Sequence, residues 1–199
     1  MIYPEVLENL IQSFKKFPGI GEKNAERLAL YTMDMSDDEI NLLADSLKNV
    51  KSKVQHCEIC GYLCENEICN ICADKSRDHN LICVIEDYKS AVSFEKIGNY
   101  NGTYHILNGL ISPIDGVTPE DINIPSLLAR LKNLENPEII LALKSSIEGQ
   151  TTTMYLQKKL ENQNVKISRL SYGISMGADI DYLDPITLGN ALEDRKFIN

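Results

Sequence analysis

Residues 57–72 read CEICGYLCENEICNIC, and this stretch separates two regions of different character in the chain. It contains two Cys-x-x-Cys pairs, Cys57 with Cys60 and Cys69 with Cys72, separated by eight residues. Two pairs at this spacing present four thiolates to one ion, and tetrahedral zinc is the usual result. We predict one structural zinc ion per chain, because four thiolates leave no coordination position for water or a substrate.

Two further cysteines lie near these pairs. Cys64 is a fifth thiol in the loop between them and has no partner at pair spacing, so its role stays open. Cys83 lies inside the apolar run LICVIE, and we interpret it as a small core residue. The alternative for the whole cluster, a set of buried or free thiols without a metal, is disfavoured by the two matched pairs.

The region before the cysteines is typical of three short helices. An amphipathic stripe in EVLENLIQSFKKF stops at Pro18. A second helix beginning at about Glu22 follows a Pro-Gly-Ile-Gly turn, and Ser36 with Glu39 forms the capping box of a third. These patterns predict a helical head over residues 1–54.

Strand-like apolar runs alternate with helical patterns after the cysteines. The predicted strands and helices are, in chain order, 81–86, 87–98, 103–108, 124–133, 138–143, 151–162 and 165–170. This alternation predicts the α/β fold class, with a largely parallel sheet covered on both faces.

A turn in the helical head is a candidate site for binding a nucleic-acid phosphate. It lies in FPGIGEKNAERLA, residues 17–29. Gly19 and Gly21 allow the backbone to approach another molecule without a Cβ in the way. Lys23 and Arg27 lie four residues apart, on one flank of a helix whose first amides have no partner within the helix. The turn therefore offers amides and cations to one phosphate.

An alternative stays open at this turn: a plain helix joint in which Glu22 and Glu26 pair with the two cations. The charge of the whole chain, 20 Lys and Arg against 29 Asp and Glu, does not favour DNA binding, but residues 1–56 are about balanced, with seven against nine. A few phosphate contacts predict weak, salt-sensitive and sequence-independent binding. Useful affinity then needs several copies of the head or a closed shape around DNA.

No apolar run approaches the roughly 18 residues that a membrane span needs, and the N-terminal residues lack the basic start and apolar core of a secretory signal. We therefore expect a cytoplasmic protein without membrane contact. In such a compartment clustered thiols bind metal more often than they form disulfides.

In this order, the parts closely resemble the bacterial RecR family of recombination mediators. Besides the hairpin and the cysteines, the resemblance is carried by RDHNLICVIEDYKSAVSFEK, GTYHILNGLISPIDGVTPEDI, IEGQTTTMYL and SRLSYGISMGADIDYLDPITLGNALEDR. It implies a helix-hairpin-helix head at 1–54, a four-cysteine zinc finger at 55–78, a Toprim α/β domain at 79–172 and a short C-terminal oligomerisation segment at 173–199. The residues that match the family's DNA contacts and zinc ligands are Lys23, Arg27, Cys57, Cys60, Cys69 and Cys72.

The resemblance also implies a function without catalysis. Proteins of this family form dimers and ring-like tetramers on DNA and act with RecO and RecF in the repair of gapped DNA, where they help to load the recombinase. The resemblance implies the same partners here, a homodimer or homotetramer, and a place at the bacterial nucleoid. Whether the chain is a dimer or a tetramer, and whether it needs a partner to bind DNA, stays open.

Toprim enzymes hold Mg²⁺ with a glutamate after the first strand and an Asp-x-Asp pair after a later one. Glu86 takes the first position here, and the pair reads Glu148-Gly149-Gln150 where the family usually has Glu-Gly-Glu. Because Gln150 carries no charge, a Mg²⁺-dependent nuclease or nucleotidyl transferase is the disfavoured alternative. Glu86 and Glu148 stay candidates for a partner contact or weak Mg²⁺ binding.

Two further points bear on the function. LALKSSIEGQ stands where the family usually carries LATNPTVEGE, which puts in doubt any partner or metal role assigned to that loop.

A third hypothesis is a zinc scaffold that binds only proteins. The cations of the hairpin argue against it.

Overall fold

The computed structural model describes residues 2–171 and 173–197, which form two compact units that divide after Val54. Tyr172, at the end of the predicted Toprim domain, and the last two residues of the predicted C-terminal segment lie outside the described residues. In chain order the elements are α1 (Glu5–Lys15), α2 (Glu22–Tyr31), α3 (Asp37–Lys53), β1 (Gln55–His56), β2 (Leu63–Cys64), α4 (Asn70–Ala73), β3 (Asp78–Ile85), α5 (Tyr88–Ile97), β4 (Gly102–Ile106), α6 (Ile124–Leu131), β5 (Glu138–Ala142), α7 (Ile147–Leu160), β6 (Lys166–Arg169), a 3-10 turn (Ile180–Tyr182) and α8 (Pro185–Glu193).

The N-terminal unit is built on the packing of α1 against α2. Ile11 of α1 and the two small residues Ala25 and Ala29 of α2 are buried in its core. Alanines four residues apart lie on one side of a helix and allow a neighbouring helix to come close. The three helices predicted for this unit are confirmed.

Helix α3 begins at the predicted capping box. The Glu39 carboxylate accepts from the Ser36 amide at 2.8 Å, and the Ser36 hydroxyl accepts from the Glu39 amide at 3.4 Å. The helix buries none of its residues: Leu43, Leu47 and Val50, at spacings of three and four, are 41%, 58% and 63% exposed. This amphipathic helix therefore has an apolar face that the described residues of its own unit leave exposed.

The second unit contains a four-stranded sheet of order β4-β3-β5-β6, in which every neighbouring pair is parallel. Side chains alternate along β3: Ile82 and Val84 pack with α6 and α7, whereas Cys83 and Ile85 pack with α5 and the cysteine region. The predicted parallel sheet with two covered faces is confirmed, as is the core position of Cys83. No helix in the described part of the chain is long and apolar enough to cross a membrane.

Two helices differ from the sequence prediction. Helix α7 begins at Ile147 rather than at residue 151, because the Ser146 hydroxyl accepts from the Gly149 amide at 3.2 Å and caps it earlier. Helix α8 was not predicted, although the Asp184 carboxylate accepts from the Ile186 amide at 3.0 Å and Pro185 takes the first helical position. An N-cap aspartate followed by proline is a start signal that the sequence carries.

Candidate nucleic-acid interface, zinc centre and Toprim groove

The two cysteine pairs converge in the second unit. The Sγ atoms of Cys57, Cys60, Cys69 and Cys72 are buried and lie within 4.8 Å of one another. Cys60 Sγ and Cys69 Sγ are 3.6 Å apart. A tetrahedral zinc ion with Zn–S bonds of about 2.3 Å requires sulfur atoms about 3.8 Å apart, so the donor set and its size fit zinc.

The local backbone favours thiolates at this cluster. Amides donate to three of the sulfurs: Tyr62 to Cys60 at 3.4 Å, Cys69 to Cys57 at 3.3 Å and Cys72 to Cys69 at 3.4 Å. The hydrogen bond with the Cys60 thiol lowers the pKa of Cys69, whereas the same hydrogen bond raises the pKa of Cys60. Zinc binds the deprotonated form, and these amide donors are placed to stabilise thiolate sulfur.

Cys64 is not a member of this group of sulfurs. Its thiol donates to the Asn66 carbonyl at 2.7 Å and is half-buried. Burial raises the pKa of Cys64, which keeps it a neutral thiol near neutral pH.

A tight turn connects α1 to α2. The Ile20 amide donates to the Phe17 carbonyl at 3.1 Å, and Gly19 has a φ of +81°. Proline at the second position and a glycine with positive φ at the third are typical of a type II turn. Apart from the two chain neighbours of each glycine, no described residue has an atom within 4 Å of where a Cβ would stand on Gly19 or Gly21, so both glycines border open space.

The cations beside this turn are exposed. Lys23 and Arg27 make no ion pair or side-chain hydrogen bond with any other residue that the structure describes. Their neighbours have other partners: Glu22 pairs with Lys15 at 3.0 Å, and Glu26 accepts from the Tyr3 hydroxyl. Gly21 precedes α2 and provides no side-chain cap, so the first amides of this helix are left for an anion.

The Toprim acids lie in a groove of about 510 Å³ at the carboxyl ends of the strands. Glu86 directly follows β3, Glu148 lies in the first turn of α7, and both line the groove with Asp115 and Asp121. Lys144, which follows β5, also lines it, and its Nζ lies 2.9 Å from Oε1 of Glu86. Four carboxylates and one ammonium group thus line the groove, and the ammonium group pairs with Glu86.

Four family descriptions match the chain. They are the RecR helix-hairpin-helix over residues 7–51, the RecR four-cysteine zinc finger domain over 54–74, the Toprim domain over 80–171 and the RecR C-terminal region over 173–196. Relatives named "Recombination protein RecR" from Staphylococcus aureus, strains Newman and COL, are each 48% identical over 195 residues, which cover 98% of both chains. The chain belongs to the RecR family.

Membership of the RecR family confirms the predicted sequence of a helix-hairpin-helix, a four-cysteine zinc finger and a Toprim α/β domain. It also agrees with the convergence of the cysteines, so that structural zinc is the cofactor of this RecR-family chain. The head carries a motif of the DNA-binding helix-hairpin-helix type.

The zinc finger of this RecR-family chain covers one edge of the Toprim sheet. The amide of Ile106, on edge strand β4, donates to the Cys60 carbonyl at 2.8 Å. A Cβ on the adjacent Gly61 would stand 3.2 Å from the Ile106 carbonyl oxygen, so glycine permits this close approach. Arg130 of α6 donates to the Tyr104 carbonyl at 2.7 Å and satisfies the same edge further along. An edge strand that is covered in this way cannot pair with another chain.

Sequence reasoning missed two contacts of these RecR-family sites, the Glu86–Lys144 pair and the Cys60–Ile106 hydrogen bond. A signal existed for the first, because Glu86 ends the predicted strand 81–86 and Lys144 follows the predicted strand 138–143. The carboxyl ends of neighbouring parallel strands lie at the same edge of a sheet. For the second we find no signal in the sequence.

Proposed function

We propose that the chain is a non-enzymatic, DNA-binding mediator of recombinational repair. It encloses gapped DNA as a homodimeric or homotetrameric ring or clamp at the nucleoid, and it acts with RecO and RecF to help load the recombinase. One observation supports this most directly: the hairpin presents an open glycine turn beside two cations that have no acidic partner among the described residues. Membership of the RecR family points the same way.

Specific residues carry the proposal. Gly19 and Gly21 bring backbone close to phosphate, and Lys23 and Arg27 supply the charge. The Toprim acids Glu86 and Glu148 contact a partner protein. The zinc ligands are Cys57, Cys60, Cys69 and Cys72. These residues belong to a head at 1–54, a finger at 55–78, a Toprim domain at 79–172 and a C-terminal segment at 173–199.

Uncovered apolar side chains support assembly into oligomers. Besides the face of α3, the C-terminal segment exposes Tyr182, Ile186, Leu192 and Phe197, each by more than half. Exposed apolar residues gathered on short segments are typical of surfaces that another chain covers. Two such segments in one subunit agree with an assembly that closes around DNA.

The proposal is tested by measuring binding to gapped DNA over a salt series, with and without RecO, for the native chain and for Lys23→Ala/Arg27→Ala. We expect the double variant to bind more weakly. We also expect the slope of log K against log salt to fall by about 1.4 to 1.8 for each subunit that contacts DNA, since each lost phosphate contact removes about 0.7 to 0.9.

Lys51→Ala/Lys53→Ala is the matched control, because it removes the same charge from the end of α3 in the same unit. The control should retain the native slope. A Lys23→Ala/Arg27→Ala variant that binds as the native chain does, with and without RecO, would refute the hairpin as the DNA contact. A stable monomer in light scattering would refute the clamp, and retention of no DNA at any salt would favour the protein-binding scaffold.

A further inference from the structure

The Toprim groove contains a cation that belongs to the chain itself. Strands β3 and β5 are neighbours and parallel, with Ile85 opposite Ala142 at their carboxyl ends. Glu86 and Lys144 continue from these ends, one and two residues further on, and their charged groups meet at 2.9 Å. The Glu86 side chain is 27% exposed and the Lys144 side chain is 56% exposed, so the carboxylate lies partly within the groove and the lysine reaches it from the solvent side.

The backbone of Lys144 is held against helix α7. A Cβ on Gly149 would stand 1.9 Å from the Lys144 carbonyl oxygen, a distance that no side chain tolerates. Gly149 therefore lets the first turn of α7 pack on Lys144, and the Ser146 cap fixes where that turn begins. This packing restrains the backbone of Lys144, and its side chain reaches Glu86 from there.

The residues of this groove do not fit a Toprim magnesium ion. Mg²⁺ prefers an octahedron of oxygen ligands at about 2.0 to 2.1 Å, with carboxylates as its usual protein ligands. One oxygen of Glu86 already accepts from Lys144. The position of the second Toprim carboxylate is occupied by the uncharged Gln150, which is exposed and does not line the groove. Among the described residues, the groove acids do not gather their oxygens as the four cysteines gather their sulfurs.

The state of charge agrees with this geometry. The hydrogen bond to Glu86 raises the pKa of Lys144, so the ammonium form persists through the neutral range. Four acidic side chains line the groove with this one cation, so the acids outnumber the cation beyond the single pair.

We propose that Lys144 is an internal counter-ion that takes the place of a divalent cation at Glu86, so that the Toprim groove of this chain is metal-independent. The groove then offers a partner its remaining carboxylates without a metal ion between them. This inference is independent of whether the hairpin binds DNA.

The test uses the full-length, zinc-loaded chain and titrates Mn²⁺, a spectroscopic substitute for Mg²⁺, by electron paramagnetic resonance. The native chain should show no saturable site that Glu86→Gln removes. Lys144→Ala frees Glu86 in the groove that Asp115, Asp121 and Glu148 also line, and it should bind Mn²⁺ at least tenfold more tightly than the native chain. Adding Glu86→Gln to Lys144→Ala should abolish the gain.

Lys144→Arg is the matched control, because it keeps a cation beside Glu86. It should bind Mn²⁺ no better than the native chain. A native Mn²⁺ site that Glu86→Gln removes would overturn the proposal, as would a folded Lys144→Ala variant that gains no affinity. The native titration decides the question by itself if Lys144→Ala does not fold.

Discussion

The zinc finger contains four cysteines whose sulfur atoms form one buried group and a fifth, Cys64, whose sulfur lies outside it. Cys57 and Cys64 lie seven positions apart in the same finger, but only Cys57 directs its sulfur into the buried group. Cys64 instead donates to a backbone carbonyl two residues away. Sulfur chemistry is the same at both positions, so geometry alone distinguishes them.

We expect Cys57→Ser to reduce bound zinc from about one ion per chain to near zero and to lower the free energy of unfolding by several kcal/mol, because metal binding contributes on the order of 10 kcal/mol to such folds. Cys64→Ser, the matched control, should keep its zinc and its stability. Metal content by mass spectrometry of the native-state protein, with thermal unfolding, provides both measurements. Equal zinc loss in the two variants would mean that the ligand set is wrong.

Sequence predicts this residue-scale chemistry well when it is local. The cysteine pairs and the Ser36–Glu39 capping box depend on spacings of three residues, and both are found where they were expected. The Glu86–Lys144 pair joins residues 58 positions apart. The predicted strand ends place both residues at one edge of the sheet, but the pair forms only because β3 and β5 are neighbours, and no local pattern contains the strand order.

At the scale of elements, the zinc finger and the sheet depend on each other through edge strand β4. All five residues of this strand are buried, although it has a neighbouring strand on one side only. The finger supplies part of the missing neighbour through the carbonyl of Cys60, whose sulfur is one of the zinc ligands. We therefore expect zinc to stabilise a strand that contains no zinc ligand.

Removing zinc with a chelator under reducing conditions should increase hydrogen exchange in β4 by about tenfold or more, because local opening loses the finger as its cover. Central strand β5 is the internal control and should change much less. Exchange is measured by mass spectrometry on peptides that cover the two strands. Equal protection of β4 with and without zinc would show that the finger does not hold this edge.

Elements were predicted with uneven success for a physical reason. Strands β3 and β5 are short apolar runs that must be buried, so composition alone identifies them. The C-terminal segment has no such run, and α8 buries none of its residues. A helix that packs no face in a core needs no regular apolar pattern, so the sequence of α8 shows little periodicity. Its N-cap signal, Asp184 followed by Pro185, is nevertheless present in the sequence.

On the scale of the whole molecule, net charge is a poor guide to what this chain contacts. The formal charge is −9, yet the hairpin presents two cations whose acidic neighbours are occupied elsewhere. Acids concentrate instead in places such as the Toprim groove. Local presentation of charge, rather than its sum, therefore determines where phosphate can bind.

The exposed apolar side chains of the C-terminal segment lead us to expect that stability depends on protein concentration. If partner subunits cover Ile186, Leu192 and Phe197, folding and association share one equilibrium, and the melting temperature rises with protein concentration. We expect a rise of several degrees between about 1 and 100 µM in calorimetry, and a smaller rise for Ile186→Ser/Leu192→Ser. A melting temperature that does not change over this range would contradict the expectation. If the melting temperature does rise, the number of copies that a cell makes determines the fraction of the protein that is folded.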